Sequence, residues 1–188
     1  MPIGMIILGR QGSGKGTQAE RIADEYGVVH ISTGDMLRQA VADETDLGAR
    51  AKVIMDAGDL VPDEIMNGIV EQRLRQDDVV SGGFLLDGFP RTPGQADALA
   101  NFVGDALKLA INLDVPSGVV TARMLERGRA DDTPESIARR LELYEAQTAP
   151  LLEWVQERGI LVVVDGLGTE EAVFDRLRSV IEGVLANA

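Results

Sequence analysis

The run Gly9-Arg10-Gln11-Gly12-Ser13-Gly14-Lys15-Gly16-Thr17 is where residue types and spacing point most directly to chemistry. Glycines allow backbone torsions that a Cβ forbids, so successive N–H groups can turn inward on phosphate oxygens. A helix starting from such a loop adds the positive end of its dipole. Lys15 supplies a mobile charge for the outer phosphates. The run matches the glycine-rich phosphate loop up to the lysine, between an apolar strand and a helix. A tight turn that merely tolerates glycine does not account for four glycines in the eight positions from 9 to 16. One departure has a consequence: Gly16 follows Lys15, and the hydroxyl comes a position later at Thr17. The residue after the lysine therefore cannot coordinate magnesium. A second acidic element, Gly83-Phe84-Leu85-Leu86-Asp87, is an apolar strand ending in a carboxylate. Standing alone, Asp87 would read as a cap for the next turn. Beside a phosphate loop it reads as a magnesium holder, directly or through water.

These residues need a scaffold, and the rest of the sequence describes one. Short apolar runs at Ile3–Leu8, Val28–Ile31, Phe84–Leu86, Leu107–Leu113 and Ile160–Val164 read as five strands. Between them lie segments suited to helices, at about 14–26, 33–42, 46–57, 62–76, 92–103, 116–128, 134–157 and 169–186. Near-continuous apolar strands separated by helices predict an α/β fold with a parallel sheet covered on both faces. Thr33 is positioned to cap the helix at 33. Pro62 stands near a helix start, where a missing N–H costs little. Thr133-Pro134 repeats that pattern, and Ile137, Leu141 and Tyr144 mark the buried face of the helix that follows. Pro150 predicts a kink or break. Leu185-Ala186-Asn187-Ala188 is expected to fray.

Composition narrows the function. The chain has 188 residues, of which 45% are hydrophobic and 26% charged. That is ordinary for one globular domain and excludes collagen, coiled-coil arrays and wholesale disorder. No apolar run approaches the ~18 residues of a membrane span, and Met1-Pro2-Ile3-Gly4 lacks the basic start of a secretory signal. Cysteine is absent, which excludes disulfides, zinc thiolates and thiol nucleophiles. The net charge of −13 repels nucleic acids and anionic lipid surfaces. Any anion must therefore be met by a local concentration of cations.

Gly12-Ser13-Gly14-Lys15-Gly16-Thr17-Gln18, Ser32-Thr33-Gly34-Asp35-Met36-Leu37-Arg38 and Asp87-Gly88-Phe89-Pro90-Arg91 together resemble the adenylate kinase family. The likeness extends to Gly128-Arg129-Ala130-Asp131-Asp132 and Val164-Asp165-Gly166, in the family's order over almost the whole chain. It implies a three-layer P-loop nucleoside triphosphate hydrolase-like fold with strand order 2-3-1-4-5. It implies one domain over 1–188: a core of 1–31, 62–126 and 133–188, a helical AMP-binding segment at 32–61 and a very short lid loop at 127–132. It implies the reaction MgATP + AMP ⇌ 2 ADP, with Mg2+ and no zinc. The partners are then ATP, AMP and ADP, with no nucleic acid or membrane, for a cytoplasmic monomer.

The same likeness assigns residues. Gly12, Ser13, Gly14, Lys15, Gly16, Thr17, Arg123, Arg127 and Gly166 fall on the ATP side. Arg123 and Arg127 are four apart, so both project from one helical face. Thr33 and Gly34 fall near the AMP base and Arg38 on its phosphate. Met55, Leu60 and Val61 line the base pocket, Gly88 and Arg91 face the phosphate, and Gln95 reads the adenine edge. Arg129 and Arg140 close on the transferring group. Lys15, Arg91, Arg123, Arg129 and Arg140 form the catalytic set, and Asp87 meets magnesium through water. Arg139 is left as a solvated surface residue. Asp131-Asp132 stays open between acids at a helix start and a device that positions the loop or an arginine.

The charge logic does not depend on the family. Six of these arginines and Lys15 place seven cations in one site of a chain that is otherwise still more acidic, which describes a focused anion cleft. Guanidinium stays ionised and binds phosphate bidentately. Departures are the missing lid insertion, Arg10-Gln11 in place of a common proline, and Asp59 where some members have lysine. His30 and Trp154 read as structural, the latter in helix packing, and Glu170-Glu171 as a solvated first turn. Two rivals remain: a kinase of the same fold acting on UMP, CMP or a small hydroxyl compound, and a non-catalytic nucleotide sensor.

Overall fold

The computed structural model describes residues 3–186. Met1-Pro2 lie outside the described residues, as do Asn187-Ala188 of the segment Leu185–Ala188 expected to fray; Leu185 is instead the last residue of the final helix and Ala186 its cap. Strand β1 (Gly4–Leu8) leads through the glycine loop into α1 (Lys15–Tyr26) and then β2 (Val29–Ser32). A helical stretch follows, made of α2 (Thr33–Ala42), α3 (Asp46–Ala57), α4 (Asp63–Leu74) and α5 (Asp77–Gly82). Next come β3 (Phe84–Asp87), α6 (Pro93–Val103), β4 (Leu107–Asp114), α7 (Ser117–Arg127) and α8 (Pro134–Leu143). A π-turn at Tyr144–Thr148 precedes α9 (Leu151–Glu157), β5 (Leu161–Asp165) and α10 (Glu170–Leu185).

The five strands pair in parallel in the order β2-β3-β1-β4-β5, as expected. Alternation along each strand divides the core into two halves. Ile6, Leu8 and Leu86 face one side, with Met66 and Val70 of α4, Leu99 of α6 and Val155 of α9. Met5, Ile7, Leu85 and Ile111 face the other, against Ala19 and Ile22 of α1 and Phe174, Leu177 and Ile181 of α10. Burial on both faces is why β1 and β3, at the centre of the sheet, are nearly continuous apolar runs, while the edge strand β5 leaves Val163 exposed. The register sets Asp87 beside Ser32 on one flank and Ile7 on the other. The carboxyl ends of β1, β2 and β3 therefore finish level at one edge, the usual place for a ligand in an open parallel sheet.

Local differences from the sequence reading have physical causes. Ser32, not Thr33, caps α2: its side chain accepts from the Asp35 N–H at 3.3 Å. Thr33 is instead buried in the first turn, its hydroxyl donating to the Asp87 carbonyl at 3.3 Å. The helix expected over 62–76 ends at Leu74, and a separate α5 follows within a segment read as loop. Thr133 caps α8 as expected, accepting from the Ser136 N–H at 3.2 Å. The break associated with Pro150 begins well before the proline. Proline cannot donate to the turn preceding it and crowds that turn's carbonyl, and here the chain widens, with the Ala149 N–H bonding to the Tyr144 carbonyl at 2.7 Å. Trp154 packs as expected, with its Nε1 donating to Asp97 at 3.4 Å and Arg158 stacked 3.5 Å from its ring.

Candidate active site

The glycine loop bridges β1 and α1 because glycine occupies its left-handed positions. Gly12 has φ 81°, and a Cβ there would fall 2.7 Å from the Val120 carbonyl oxygen. Gly14 has φ 97° at the cap of α1, whose first turn carries no acidic residue. The exposed N–H groups and the helix dipole are thus left for an anion. Lys15 Nζ folds back on the loop, donating to the Gly9 and Arg10 carbonyls at 2.8 Å each. It stands deep in the floor of a cleft, and burial lowers its pKa to about 8. Within that net value Asp87 opposes the lowering, and Arg91 and Arg127 add smaller shares to it.

Asp87 ends β3 beside this lysine. Burial pushes its carboxyl up, but the His30 ring, Lys15 and Arg91 outweigh burial and hold it below the usual carboxylate range. His30 Nε2 is 3.9 Å from Asp87 Oδ2. The sequence reading had no signal for this neighbour, because the pairing of β2 with β3 creates it. Gly16 lies next to the same carboxylate, and a Cβ there would reach 3.7 Å from Asp87 Oδ2. Asp87 therefore remains ionised and open toward Gly16 and Thr17. No cluster of three or more His, Asp or Glu that could hold a metal occurs among the described residues.

A cavity of about 310 Å³ runs from the loop to α3. All seven expected cations line it: Lys15, Arg38, Arg91, Arg123, Arg127, Arg129 and Arg140. Gly12, Gly14, Gly16, Thr17, Thr33, Gly34, Met55, Leu60, Val61, Asp87, Gly88 and Gln95 line it too. Two expected residues do not. Ser13 is buried under the loop, and Gly166 stands behind Arg123, whose Nη2 lies 3.5 Å from its carbonyl. Asp35, also on the cavity wall, was missed; it pairs with Arg38 one helical turn away.

Specific partners hold most of these arginines, and Arg129 is tied by its backbone N–H. Arg91 Nε donates to the Gly88 carbonyl at 2.7 Å, and the Arg91 N–H donates to Gln95 Oε1 at 2.7 Å. Burial lowers the Arg91 pKa, opposed by Asp87. Gln95 Nε2 donates to Asp63 at 2.8 Å. Asp132, whose side chain is fully enclosed, resolves the question left open by the sequence. It accepts two bonds from Arg127 at 2.9 Å, one from Arg140 at 3.1 Å and one from the Arg129 N–H at 3.2 Å. Burial raises the Asp132 carboxyl, yet the bonds from Arg127 and the nearby cations hold it low. Arg140 also pairs with Asp131 and donates to the Met55 carbonyl at 3.2 Å. Arg139 turns outward to Asp59 at 2.8 Å and Glu142 at 3.1 Å, the surface role expected of it. Asp59 is thereby accounted for as its partner.

A phosphate loop at the carboxyl edge of a parallel sheet, beside a strand ending in an ionised aspartate, defines an α/β P-loop nucleotide-binding protein. The adenylate kinase family model matches residues 7–160. Adenylate kinase 1 of a Synechocystis species is 48% identical over 185 residues, spanning 97% of this chain and 98% of its own. The adenylate kinase of Oenococcus oeni is 44% identical over 184 residues, spanning 96% and 98%. That of Stenotrophomonas maltophilia is 44% identical over 186 residues, spanning 95% and 99%. The chain belongs to the adenylate kinase family.

Proposed function

We propose that the chain transfers the terminal phosphoryl group of ATP to AMP, reversibly, giving two ADP. Seven cations lining one cleft of a chain with net charge −13 are the observation that carries this reading. Two phosphate-bearing substrates repel each other, and phosphoryl transfer asks chiefly for positioning and for positive charge around the equatorial oxygens. The glycine loop, Lys15, Arg123 and Arg127 hold the triphosphate. Arg38 and Arg91 hold the monophosphate, with residues 32–61 as its binding segment. Arg129 and Arg140, on and after the short loop 127–132, meet the group in transit. An oxygen of the AMP phosphate attacks the γ-phosphorus and the bond from that phosphorus to the β–γ bridging oxygen breaks. The attacking oxygen is already anionic, so no side-chain base is required.

The residues present fit magnesium carried in with ATP. Asp87 offers one ionised oxygen donor near the loop and Thr17 a hydroxyl one turn into α1. Such a sparse donor set suits an ion that keeps its waters and binds largely through substrate phosphates. An ion held there would neutralise charge on the substrate phosphates, and Asp87 would be the residue that holds it. By the family likeness Thr33 and Gln95 favour adenine over a pyrimidine as the acceptor base, although here the Gln95 amide is engaged at both ends, by the Arg91 N–H and by Asp63, and the Thr33 hydroxyl donates to the Asp87 carbonyl.

The direct test is ADP formation from ATP and AMP by purified protein, with magnesium omitted as a control and UMP and CMP as alternative acceptors. Rapid magnesium-dependent turnover with AMP is expected. Faster turnover with CMP would overturn the choice of acceptor, and tight nucleotide binding without turnover would favour a sensor.

A further inference from the structure

The five residues of the π-turn touch three parts of the cleft at once. The turn continues directly from α8, which carries Arg140. Its Glu145 accepts from Arg10 Nε at 2.9 Å and Nη2 at 2.6 Å, and its Tyr144 ring lies 5.3 Å from the same guanidinium. Its Thr148 hydroxyl donates to the Arg91 carbonyl at 2.8 Å. Arg10 also donates to the Val115 carbonyl at 3.2 Å and stands 3.6 Å from Asp114. The Arg10 carbonyl, in turn, accepts from Lys15 Nζ at 2.8 Å and from the Ser13 N–H at 3.2 Å. Arg10 is not among the residues lining the cavity. Its side chain leaves the phosphate loop toward Glu145 and the Val115 carbonyl.

We propose that Arg10 is a positioning residue, and that with Glu145 and Thr148 it forms a bracket fixing the phosphate loop in register with Arg91 and Arg140. The proposal rests on the phosphotransfer reading above. Its physical basis is that the loop holds the triphosphate chiefly by backbone N–H groups, with Lys15 bonded back onto the Gly9 and Arg10 carbonyls of the same loop, so the contacts that place the loop relative to the acceptor arginines come from the segments packed against it. Transfer between two bound groups is sensitive to their separation: a misplacement of ~1 Å costs up to ~100-fold in rate. A π-turn is a costly irregularity that recurs at functional positions. Here it contacts the donor loop through Arg10 and the acceptor loop through the Arg91 carbonyl, and it continues the helix of Arg140.

The test is steady-state kinetics and thermal unfolding of Arg10→Ala, Glu145→Ala, the double variant and Glu145→Gln. For Arg10→Ala a fall in kcat of about 10- to 100-fold is expected, with KM for ATP and AMP within about twofold of the unmodified chain. Glu145→Ala should fall likewise. The double variant should be no slower than the slower single one, because both remove the same interaction. Glu145→Gln, which keeps an acceptor oxygen, should recover most of the rate. Should Arg10→Ala fold poorly, Thr148→Val tests the other arm, with an expected fall in kcat at unchanged melting temperature. An unchanged kcat in Arg10→Ala, losses that multiply in the double variant, or a rise in KM for ATP alone would overturn the bracket. An unmodified chain inactive on ATP and AMP would overturn the underlying reading instead.

Discussion

Replacing Asp132 by Asn tests whether the enclosed carboxylate organises the arginine arm. Asp132 takes four bonds, three from the side chains of Arg127 and Arg140 and one from the Arg129 N–H. Asparagine keeps one acceptor oxygen and turns an amide toward the guanidinium groups. Removing one partner of a buried ion pair costs about 3–5 kcal/mol. The retained oxygen puts Asp132→Asn at the lower end, about 3 kcal/mol. For a chain of this size that is a fall in melting temperature of about 6–12 °C. The pH dependence follows from the lowered pKa of the carboxyl. A carboxylate held below its unfolded value contributes stability in full above the unfolded pKa, about 3.9. That contribution is lost as pH falls through the folded value. The gap between the two proteins should therefore be full at pH 7 and close below about pH 4. Thermal unfolding followed by circular dichroism across this range measures it, with kcat measured in parallel and expected to fall about tenfold or more as Arg127 and Arg129 lose their common anchor. Melting temperatures within about 2 °C at pH 7 would refute the reasoning.

Three other outcomes follow from the same geometry. Lys15→Met should lower kcat by about 100- to 1,000-fold and leave the circular dichroism spectrum intact; normal turnover would remove the lysine from its role. Because burial lowers the Lys15 pKa to about 8, raising the pH above that value takes its positive charge away from the cleft. KM for MgATP should therefore rise by up to about tenfold per pH unit above 8 in a pH series, and a flat profile to pH 10 would contradict the assignment. Gln95→Leu strips an acceptor from the Arg91 N–H and a donor from Asp63; Arg91 loses that alignment, and KM for AMP should rise by about 5- to 10-fold, an unchanged KM contradicting the role.

Much of this molecule is legible in its sequence, for identifiable reasons. The central strands show because burial on both faces makes β1 and β3 nearly continuous apolar runs, and the cradle shows because its torsions demand glycine at fixed positions. The cations could be named through the family's motifs. Their partners are legible only in part: the likeness leaves Asp131-Asp132 open as a device positioning an arginine, but which arginines meet Asp132 depends on α7 ending and α8 beginning around it, and His30 meets Asp87 only through strand pairing. Thr33 looked like a cap because its type suits one, yet the neighbouring Ser32 hydroxyl reached the Asp35 N–H and Thr33 was drawn to the Asp87 carbonyl. The π-turn has no periodicity of its own. Only Pro150 hinted at it, and hydrogen bonding moved the irregularity upstream.

The central claim is that one cleft holds two nucleotides with their phosphates facing each other. Calorimetric titration with two adenosines joined through five phosphates measures this most directly. Binding about 100-fold or more tighter than ATP alone is expected, since the second half binds without a second loss of translational freedom. An affinity no better than that of ATP would contradict it.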